Sequence, residues 1–534
     1  MKKICELALG FNDAENYRKR ENKNLFNQIF VKNFFLDELL HSSKYFLIGE
    51  KGTGKTAYSV FLANNHFKDN ISDLKYIRDT DYQKFVTLKT KKHLELSDYT
   101  NIWNVIILLL LAKNIGKSEL DHSPFSKPAK LKALLKAIDE YYLHAFSPEI
   151  ISVLNFIENS KLAAELITKH LKISGEETVN TSFSESRFQI NLMYIQKQFE
   201  GALSSLKLKN NHILFIDGID IRPGSIPYNE YLDCIKGLAN ATWNINNDFF
   251  GNIKDSKGRF RVVLLLRPDI FNSIGLQNTT NKVRDNSVFL DWRTTYPSYK
   301  TSHLFELADK LFRAQQDKKL EVGKAWDNYF PWQSKSTNLN RNFDPSFYKF
   351  LKLSYSRPRD LVTMMQILQE EHYQKKNNGQ SFFNEKLVDS DDFQNKYSNY
   401  LMGGIKDQLA FYYDESDYNM FLKFFNFLEG SDQFTYQEYV SAYNKFIDFV
   451  LNHHDDIPKF VESENEFLQF LYDTNIICFI EEDGGAPFFS WCYRERTPSN
   501  ISPKVIPNVK YRIHYGLHRA LNVRNKNKDK TNIE

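Results

Sequence analysis

Cysteine is scarce in this sequence, with four residues among 534 and no C-x-x-C pair. Neither a zinc site nor a disulfide framework is therefore expected. Residues 1–30 contain no apolar signal core, and the longest apolar run, Val105–Ala112, is far shorter than the roughly 20 residues that span a bilayer. We therefore expect a cytoplasmic protein without a membrane partner, and a buried helix at this run.

The sequence also lacks a large excess of charge of either sign, because its formal net charge is only +4. Contact with nucleic acid would need a local basic patch, so nucleic acid is a permitted partner that the composition does not favour. The sequence shows no nuclease, protease or deaminase motif and no guanine-specific N-K-x-D string. Any effector activity is therefore expected in a partner protein.

The composition is that of a folded chain, with 42% hydrophobic and 15% aromatic residues. Its length predicts two to four domains. We place a nucleotide-binding core at 1–300, a helical insertion within it at 90–185, a helical lid at 301–375, a winged-helix-like domain at 376–520 and a basic disordered tail at 521–534. The insertion is interpreted as a brace or as a partner surface.

Short apolar runs alternate with helical patterns in the first 300 residues. The predicted strands are Tyr45–Ile48, Phe85–Leu88, His212–Asp217, Arg261–Leu266 and Val288–Leu290. Nearly continuous apolar strands separated by helices are typical of a parallel sheet covered on both faces. The fold class is therefore α/β, with a parallel sheet.

A second pattern lies near the end of the chain. Ile476–Glu481 and Pro487–Tyr493 flank an Asp-Gly-Gly string, which predicts a β-hairpin. Because helices precede this hairpin, we interpret the region as winged-helix-like.

The strongest motif follows the first predicted strand and precedes a helix. It is a G-x-x-x-x-G-K-T string formed by Gly49, Glu50, Lys51, Gly52, Thr53, Gly54, Lys55 and Thr56. In such a P-loop, glycines let backbone N–H groups turn toward phosphates, and the helix dipole adds positive potential. Lys55 would reach the β- and γ-phosphates, and Thr56 would bind Mg²⁺. The alternative is a glycine turn that matches by chance.

A second acidic motif ends the strand His212–Asp217. An apolar strand ending in aspartate is the Walker B pattern, in which the carboxylate holds Mg²⁺. The alternative is an aspartate that caps a strand end. Many P-loop ATPases have glutamate at the next position, to orient the attacking water, but this chain has Gly218.

Further motifs follow in a fixed order. Asp217-Gly218-Ile219-Asp220 resembles the D-G-hydrophobic-D string of the NACHT and related STAND ATPases, and more loosely that of the KAP ATPases. Arg267-Pro268 ends a strand as the sensor-1 pair does in those families. Ser356-Arg357-Pro358 is similar to the STAND G-x-P motif, and the string that continues to Leu361 is similar to the sensor-2 motif of AAA+ proteins. The sequence departs from these motifs at two positions. It has Ile221 where an acidic residue is expected, and Ser356 where the G-x-P motif has glycine.

The resemblance covers residues 40–370 and implies that the core is a P-loop NTPase with a RecA/AAA+-like parallel sheet. It also implies ATP and Mg²⁺ as cofactors, with hydrolysis to ADP and phosphate. It implies that Arg267 senses the γ-phosphate and that Arg359 contacts the nucleotide from the lid. The alternatives are a surface arginine at 267 and, at 359, a helix arginine paired with Asp360. Asp220 is the candidate for positioning water or ordering the Mg²⁺ shell.

An arginine before the last predicted strand, Arg284, is the candidate for a finger that reaches a neighbouring subunit's site. A solvated pair with Asp285 is the alternative, and Arg293 is a second candidate. The resemblance implies a nucleotide-dependent switch or assembly platform, with a homo-oligomer or effector partner, of the kind found in bacterial anti-phage defence. Two other hypotheses stay open: a DNA-binding AAA+-type module, and an interaction scaffold with a structural nucleotide.

Overall fold

The computed structural model describes residues 1–77, 96–121, 131–144, 185–224, 226–254, 256–336, 342–374, 380–453, 458–483 and 486–524. The chain forms two compact units. The sheet unit comprises Phe34–Gly49 and Lys55–Phe289. The helical unit comprises Met1–Asn33, Glu50–Gly54 and Leu290–Glu534.

The sheet unit is built on five parallel strands. They are β1 (Phe46–Ile48), β2 (Asn70–Tyr76), β3 (Asn211–Asp217), β4 (Phe260–Leu266) and β5 (Ser287–Phe289). Their order across the sheet is β2-β3-β4-β1-β5. This arrangement confirms the predicted α/β class with a parallel sheet.

The strand β2 was not predicted, although it pairs along its whole length with β3. It is the edge strand, and its sequence contains Asn70, Ser72, Asp73 and Lys75 among few apolar residues. An edge strand needs less apolar surface than β1 and β4, which are buried throughout. The predicted strand Phe85–Leu88 lies outside the described residues.

The predicted apolar run forms a buried helix, as expected. Helix Leu96–Asp121 buries Val105–Ala112 and packs against helix Tyr228–Asn244. Trp103 Nε1 donates to Cys234 O at 3.2 Å, and a Cβ at Gly237 would lie 2.6 Å from Tyr99 Cβ. Among the described residues, no helix is long and apolar enough to span a bilayer.

The sheet unit contains six further described α-helices. They are Phe34–Leu39, Lys55–Asn64, Lys132–His144, Glu185–Ser204, Pro268–Ser273 and Thr279–Asn286. The described parts of the predicted insertion at 90–185 are therefore helical.

The helical unit has an aromatic core. Trp326 stacks on Phe330 with ring centroids 4.3 Å apart, and it meets Phe347 and Phe350 edge to face. Its described α-helices are Lys23–Ile29, His303–Arg313, Lys324–Tyr329, Ser346–Leu353, Pro358–Gln374, Glu385–Val388, Asp391–Leu409, Glu415–Lys423, Tyr436–His453, Glu464–Asp473 and Cys492–Glu495. A two-stranded sheet, β6 (Gln333–Lys335) with β7 (Phe343–Pro345), precedes Ser346–Leu353.

The predicted hairpin is confirmed and belongs to a larger antiparallel sheet. Its strands are β9 (Ile477–Asp483) and β10 (Ala486–Trp491), and the sheet adds β8 (Gln433–Thr435) and β11 (Lys510–Ile513). The helix Glu464–Asp473 leads into β9 and carries two glutamates in its first turn. Such an acidic helix is unsuited to phosphate contact.

Ser356 holds an unusual backbone conformation at the start of helix Pro358–Gln374. Its φ is +55°, in the left-handed region that favours glycine. The residue is buried, and its Oγ has no hydrogen-bond partner among the described residues. Glycine would adopt this backbone without strain, so serine is the strained choice at this position.

Ser356→Gly should therefore stabilise the protein by about 1 kcal/mol, because it relieves the left-handed strain and removes a buried unpaired hydroxyl. Ser356→Ala removes only the hydroxyl and should melt between wild type and the glycine variant. The order of melting temperatures checks this. A glycine variant that melts below wild type would contradict it.

Candidate functional site

The glycine loop begins where two neighbouring parallel strands end. Ile48 of β1 is in register with Leu266 of β4, and Gly49 N donates to Leu266 O at 3.1 Å. The strands on either side of β1 are β4 and β5, so the chain order reverses at this point of the sheet. Ligands of open α/β sheets bind at the carboxyl ends of the strands at such a reversal.

Lys55 is the first residue of helix Lys55–Asn64, directly after the loop. Its side chain is buried, and its Nζ donates to Gly49 O at 2.8 Å. The ammonium group is thus folded back over the start of the loop. A buried ammonium at a helix N-terminus gives this position a strong positive potential.

The predicted metal ligands meet in the structure. Thr56 Oγ1 donates to Asp217 Oδ2 at 2.6 Å, although 161 positions separate the two residues. The helix after β1 supplies the hydroxyl, and the carboxyl end of β3 supplies the carboxylate. Two predictions made from separate parts of the sequence therefore fall on one pair of side chains.

The electrostatics of Asp217 suit a cation. Burial raises the pKa of its carboxyl above the ordinary value, and the nearby charge of Asp220 raises it further. The hydrogen bonds from Thr56 and from Gly218 N, and the charge of Lys55, act in the opposite direction. A hydroxyl beside a buried carboxylate is an oxygen donor pair of the kind that Mg²⁺ prefers, so these residues fit the ion.

The backbone at Gly218 explains why no glutamate follows Asp217 in this chain. Its φ is +90°, and a Cβ at this position would lie 2.6 Å from Ile77 O. Ile77 N in turn donates to Asp217 O at 2.9 Å, which extends the β2–β3 pairing to the end of β3. Glutamate could not occupy this backbone without displacing the end of β2.

The turn after Gly218 is held by a tyrosine that the motif analysis did not single out. Tyr231 is fully buried, and its Oη lies 2.9 Å from Ile219 O and 2.8 Å from Ile221 O. This contact fixes the turn that contains the half-buried Asp220, while the Ile221 side chain is 58% exposed. The proposed role of Asp220 stays a prediction.

Two predicted arginines of the sheet unit have different surroundings. Arg267 is buried, and its Nε and Nη2 donate to Asp269 at 3.0 and 2.6 Å. The alternative of a surface arginine is thereby wrong, whereas γ-phosphate sensing stays a prediction. Arg284 is exposed in the last turn of Thr279–Asn286, and its role as a finger also stays a prediction.

The middle of the glycine loop, Glu50–Gly54, packs within the helical unit. Gly52 and Gly54 have φ values of +92° and +94°. Thr53 N and Oγ1 both donate to Glu50 O, and Trp292 Nε1 donates to Thr53 O at 2.8 Å. Positive φ at both glycines and these three hydrogen bonds define the loop's shape.

Helix Pro358–Gln374 begins against the loop. Arg359 N donates to Gly52 O at 3.2 Å, so a loop carbonyl satisfies an amide of the first helical turn. A Cβ at position 52 would lie 3.2 Å from Arg359 Cβ, which favours glycine there. Asp360 pairs with Arg357, so the alternative that Arg359 pairs with Asp360 is wrong. Nucleotide contact by Arg359 stays a prediction.

Two ion pairs hold the loop from the C-terminal half of the helical unit. Glu50 pairs with the buried Arg496, and Asn475 Nδ2 lies 3.5 Å from the same carboxylate. Lys51 pairs with Asp407 of helix Asp391–Leu409. The sequence motif carries no signal for these contacts, because it does not restrict the residue types at positions 50 and 51.

The second finger candidate, Arg293, is engaged within its own unit. It pairs with Asp291 through Nε at 2.7 Å and also donates to Arg494 O. Within the described residues, no group of three histidine, cysteine or acidic side chains is arranged to hold a metal ion. Within the described part of the chain, Thr56 and Asp217 are the oxygen donors that could hold a magnesium ion, and phosphates and water would complete its shell.

Comparison with known proteins gave no match: neither a protein-family model nor a curated protein is similar to this sequence.

Gly218→Ala should destabilise the protein by about 2 kcal/mol, through left-handed strain and the close approach to Ile77 O. Gly224→Ala is the matched control, because a Cβ there meets nothing within 4 Å and the backbone is not left-handed. Thermal melting of both variants checks this. Equal melting temperatures would show that the backbone at 218 tolerates side chains.

Proposed function

We propose that this chain is a Mg²⁺-dependent, ATP-binding P-loop protein that hydrolyses ATP slowly and uses the nucleotide as a switch or assembly signal. The observation that carries the proposal is the 2.6 Å contact between Thr56 Oγ1 and Asp217 Oδ2. A P-loop threonine and a strand-end aspartate hold the same metal ion in P-loop NTPases.

The loop, the two metal-binding residues and Asp220 have different roles in the proposed reaction. Backbone N–H groups of residues 49–56 and Lys55 bind the phosphates. Thr56 and Asp217 would hold Mg²⁺, which would neutralise charge on the phosphates. Asp220 orients the water that attacks the γ-phosphate in line. The protein's contribution is positioning and charge stabilisation.

The strand order also supports the proposal. One strand, β4, separates β1, which leads into the loop, from β3, which ends in Asp217. Both strands end at the edge of the sheet where ligands of open α/β sheets bind. We also propose that the antiparallel sheet β8–β11 and the helices before it form a winged-helix-like domain, because helices followed by a hairpin are typical of such a domain. From the resemblance of the sequence motifs to STAND ATPases, a homo-oligomer or an effector is the expected partner, and anti-phage defence the expected setting.

Lys55→Ala should abolish ATP binding, because it removes the ammonium group from the phosphate site. Isothermal titration calorimetry with Mg-ATP checks this. Lys257→Ala, in the exposed turn before β4 and thus at the opposite ends of the strands, is the control and should bind like wild type. Unchanged ATP affinity in the Lys55 variant would refute the P-loop assignment.

Asp217→Asn should keep the fold and bind ATP, but should lower Mg²⁺-dependent phosphate release by roughly a hundredfold. The amide keeps the shape and the contact with Thr56 while it removes the charge that binds the ion. Phosphate release measured against Mg²⁺ concentration checks this, with the exposed Asp248→Asn as control. Turnover equal to wild type would place the metal ligand elsewhere.

A scaffold with a structural nucleotide is the second candidate. The backbone at Gly218 favours it, because that backbone excludes glutamate from the position where many P-loop ATPases have it. The same assay separates the two candidates. Wild-type protein that binds Mg-ATP tightly and releases no phosphate would support the scaffold.

A further inference from the structure

An arginine that the proposed function does not use contacts the glycine loop. Arg357 precedes helix Pro358–Gln374, and its Nη1 donates to Lys51 O at 3.1 Å. The next loop carbonyl, Gly52 O, accepts from Arg359 N at 3.2 Å. Two consecutive peptide carbonyls of the loop are therefore directed at the start of this one helix.

The orientation of these carbonyls fixes the orientation of the amides. The chain has no cis peptide bonds among its described residues, and in a trans peptide the N–H points away from the C=O. With Lys51 O directed at Arg357, the Gly52 N–H points to the opposite side of the loop. A backbone N–H that a glycine loop presents in this way can contribute to an anion-binding concavity.

Arg357 is itself held rigidly. Its guanidinium forms a bidentate pair with Asp360, whose side chain is fully buried. Asp360 also accepts from Tyr400 Oη at 3.1 Å and from Tyr355 N at 2.9 Å. The guanidinium lies over the Tyr355 ring, 4.6 Å from its centroid. Nη1 is the nitrogen of this guanidinium that donates to the loop. Its position is therefore set by the contacts that the guanidinium makes with Asp360 and Tyr355.

We propose that Arg357 is a positioning residue for the phosphate-binding loop. It holds the Lys51–Gly52 peptide with its amide turned toward the bound phosphates, and Asp360 holds Arg357. This inference rests on the proposed function and extends it, since it assigns part of the affinity for phosphates to a residue that touches no phosphate.

The experiment compares Arg357→Met with Arg313→Met. Arg313 Nε donates to Asp309 Oδ2 at 2.8 Å, and the Asp309 side chain is also fully buried. Both variants remove an arginine from a buried aspartate in the same unit, but only Arg357 contacts the loop. Isothermal titration calorimetry measures the affinity of each variant for Mg-ATP and for tripolyphosphate. Because tripolyphosphate lacks base and sugar, its affinity reports on phosphate binding alone. The melting temperature measures how much stability each variant loses.

Both variants should lose stability to a similar degree. Only Arg357→Met should bind Mg-ATP and tripolyphosphate about tenfold more weakly, the loss expected for one charge-assisted hydrogen bond. Arg357→Lys keeps the charge beside Asp360 but not the fork geometry, so it should fall between wild type and the methionine variant. It is measured in place of Arg357→Met if that variant does not fold.

Two outcomes would overturn the proposal. One is wild-type affinity in a folded Arg357 variant, and the other is an equal loss in Arg313→Met. Failure of the proposed function is distinct from both, because then wild type would bind neither ligand, or Lys55→Ala would not weaken binding.

Discussion

The contact between Thr56 and Asp217 is the constraint on which the sheet unit's site depends. A carboxylate with little solvent around it is costly unless hydrogen bonds or positive charge stabilise it. At Asp217, the threonine hydroxyl, the Gly218 amide and the charge of Lys55 do so, yet burial and Asp220 still raise its pKa. A divalent cation beside the carboxylate would lower that pKa again.

The glycine loop is shaped by distant contacts as well as by its own sequence. Four of its residues, Gly49, Gly54, Lys55 and Thr56, account for the motif's recognisable form, but its carbonyls and side chains are held by partners far along the chain. Glu50 is paired with Arg496 and Lys51 with Asp407, and Arg357 donates to the carbonyl of the Lys51–Gly52 peptide. A change in the helical unit would thus reach the loop through ion pairs and hydrogen bonds, without needing any change in the glycines.

The sequence predicted features with strong local signals and missed those set by tertiary contact. The buried strands around Leu47, Ile216 and Leu264 were recognisable because short, continuous apolar runs are typical of parallel strands covered on both faces. The edge strand β2 was missed because Asn70, Ser72, Asp73 and Lys75 give it no apolar run. The role of Arg357 was equally invisible, because which arginine pairs with Asp360 is decided by side-chain geometry that spacing alone does not determine.

The glycine after Asp217 limits which residue could orient a water molecule at the proposed nucleotide site. Its left-handed backbone and the carbonyl of Ile77 leave no space for a side chain, so the absence of glutamate is built into the β2–β3 pairing. A single substitution could not restore that glutamate without separating the ends of two strands. Asp220, two residues further on, is the nearest acidic alternative, and it lies on a turn that Tyr231 of helix Tyr228–Asn244 holds in place. We therefore expect the proposed nucleotide site to retain its nucleotide rather than to hydrolyse it rapidly.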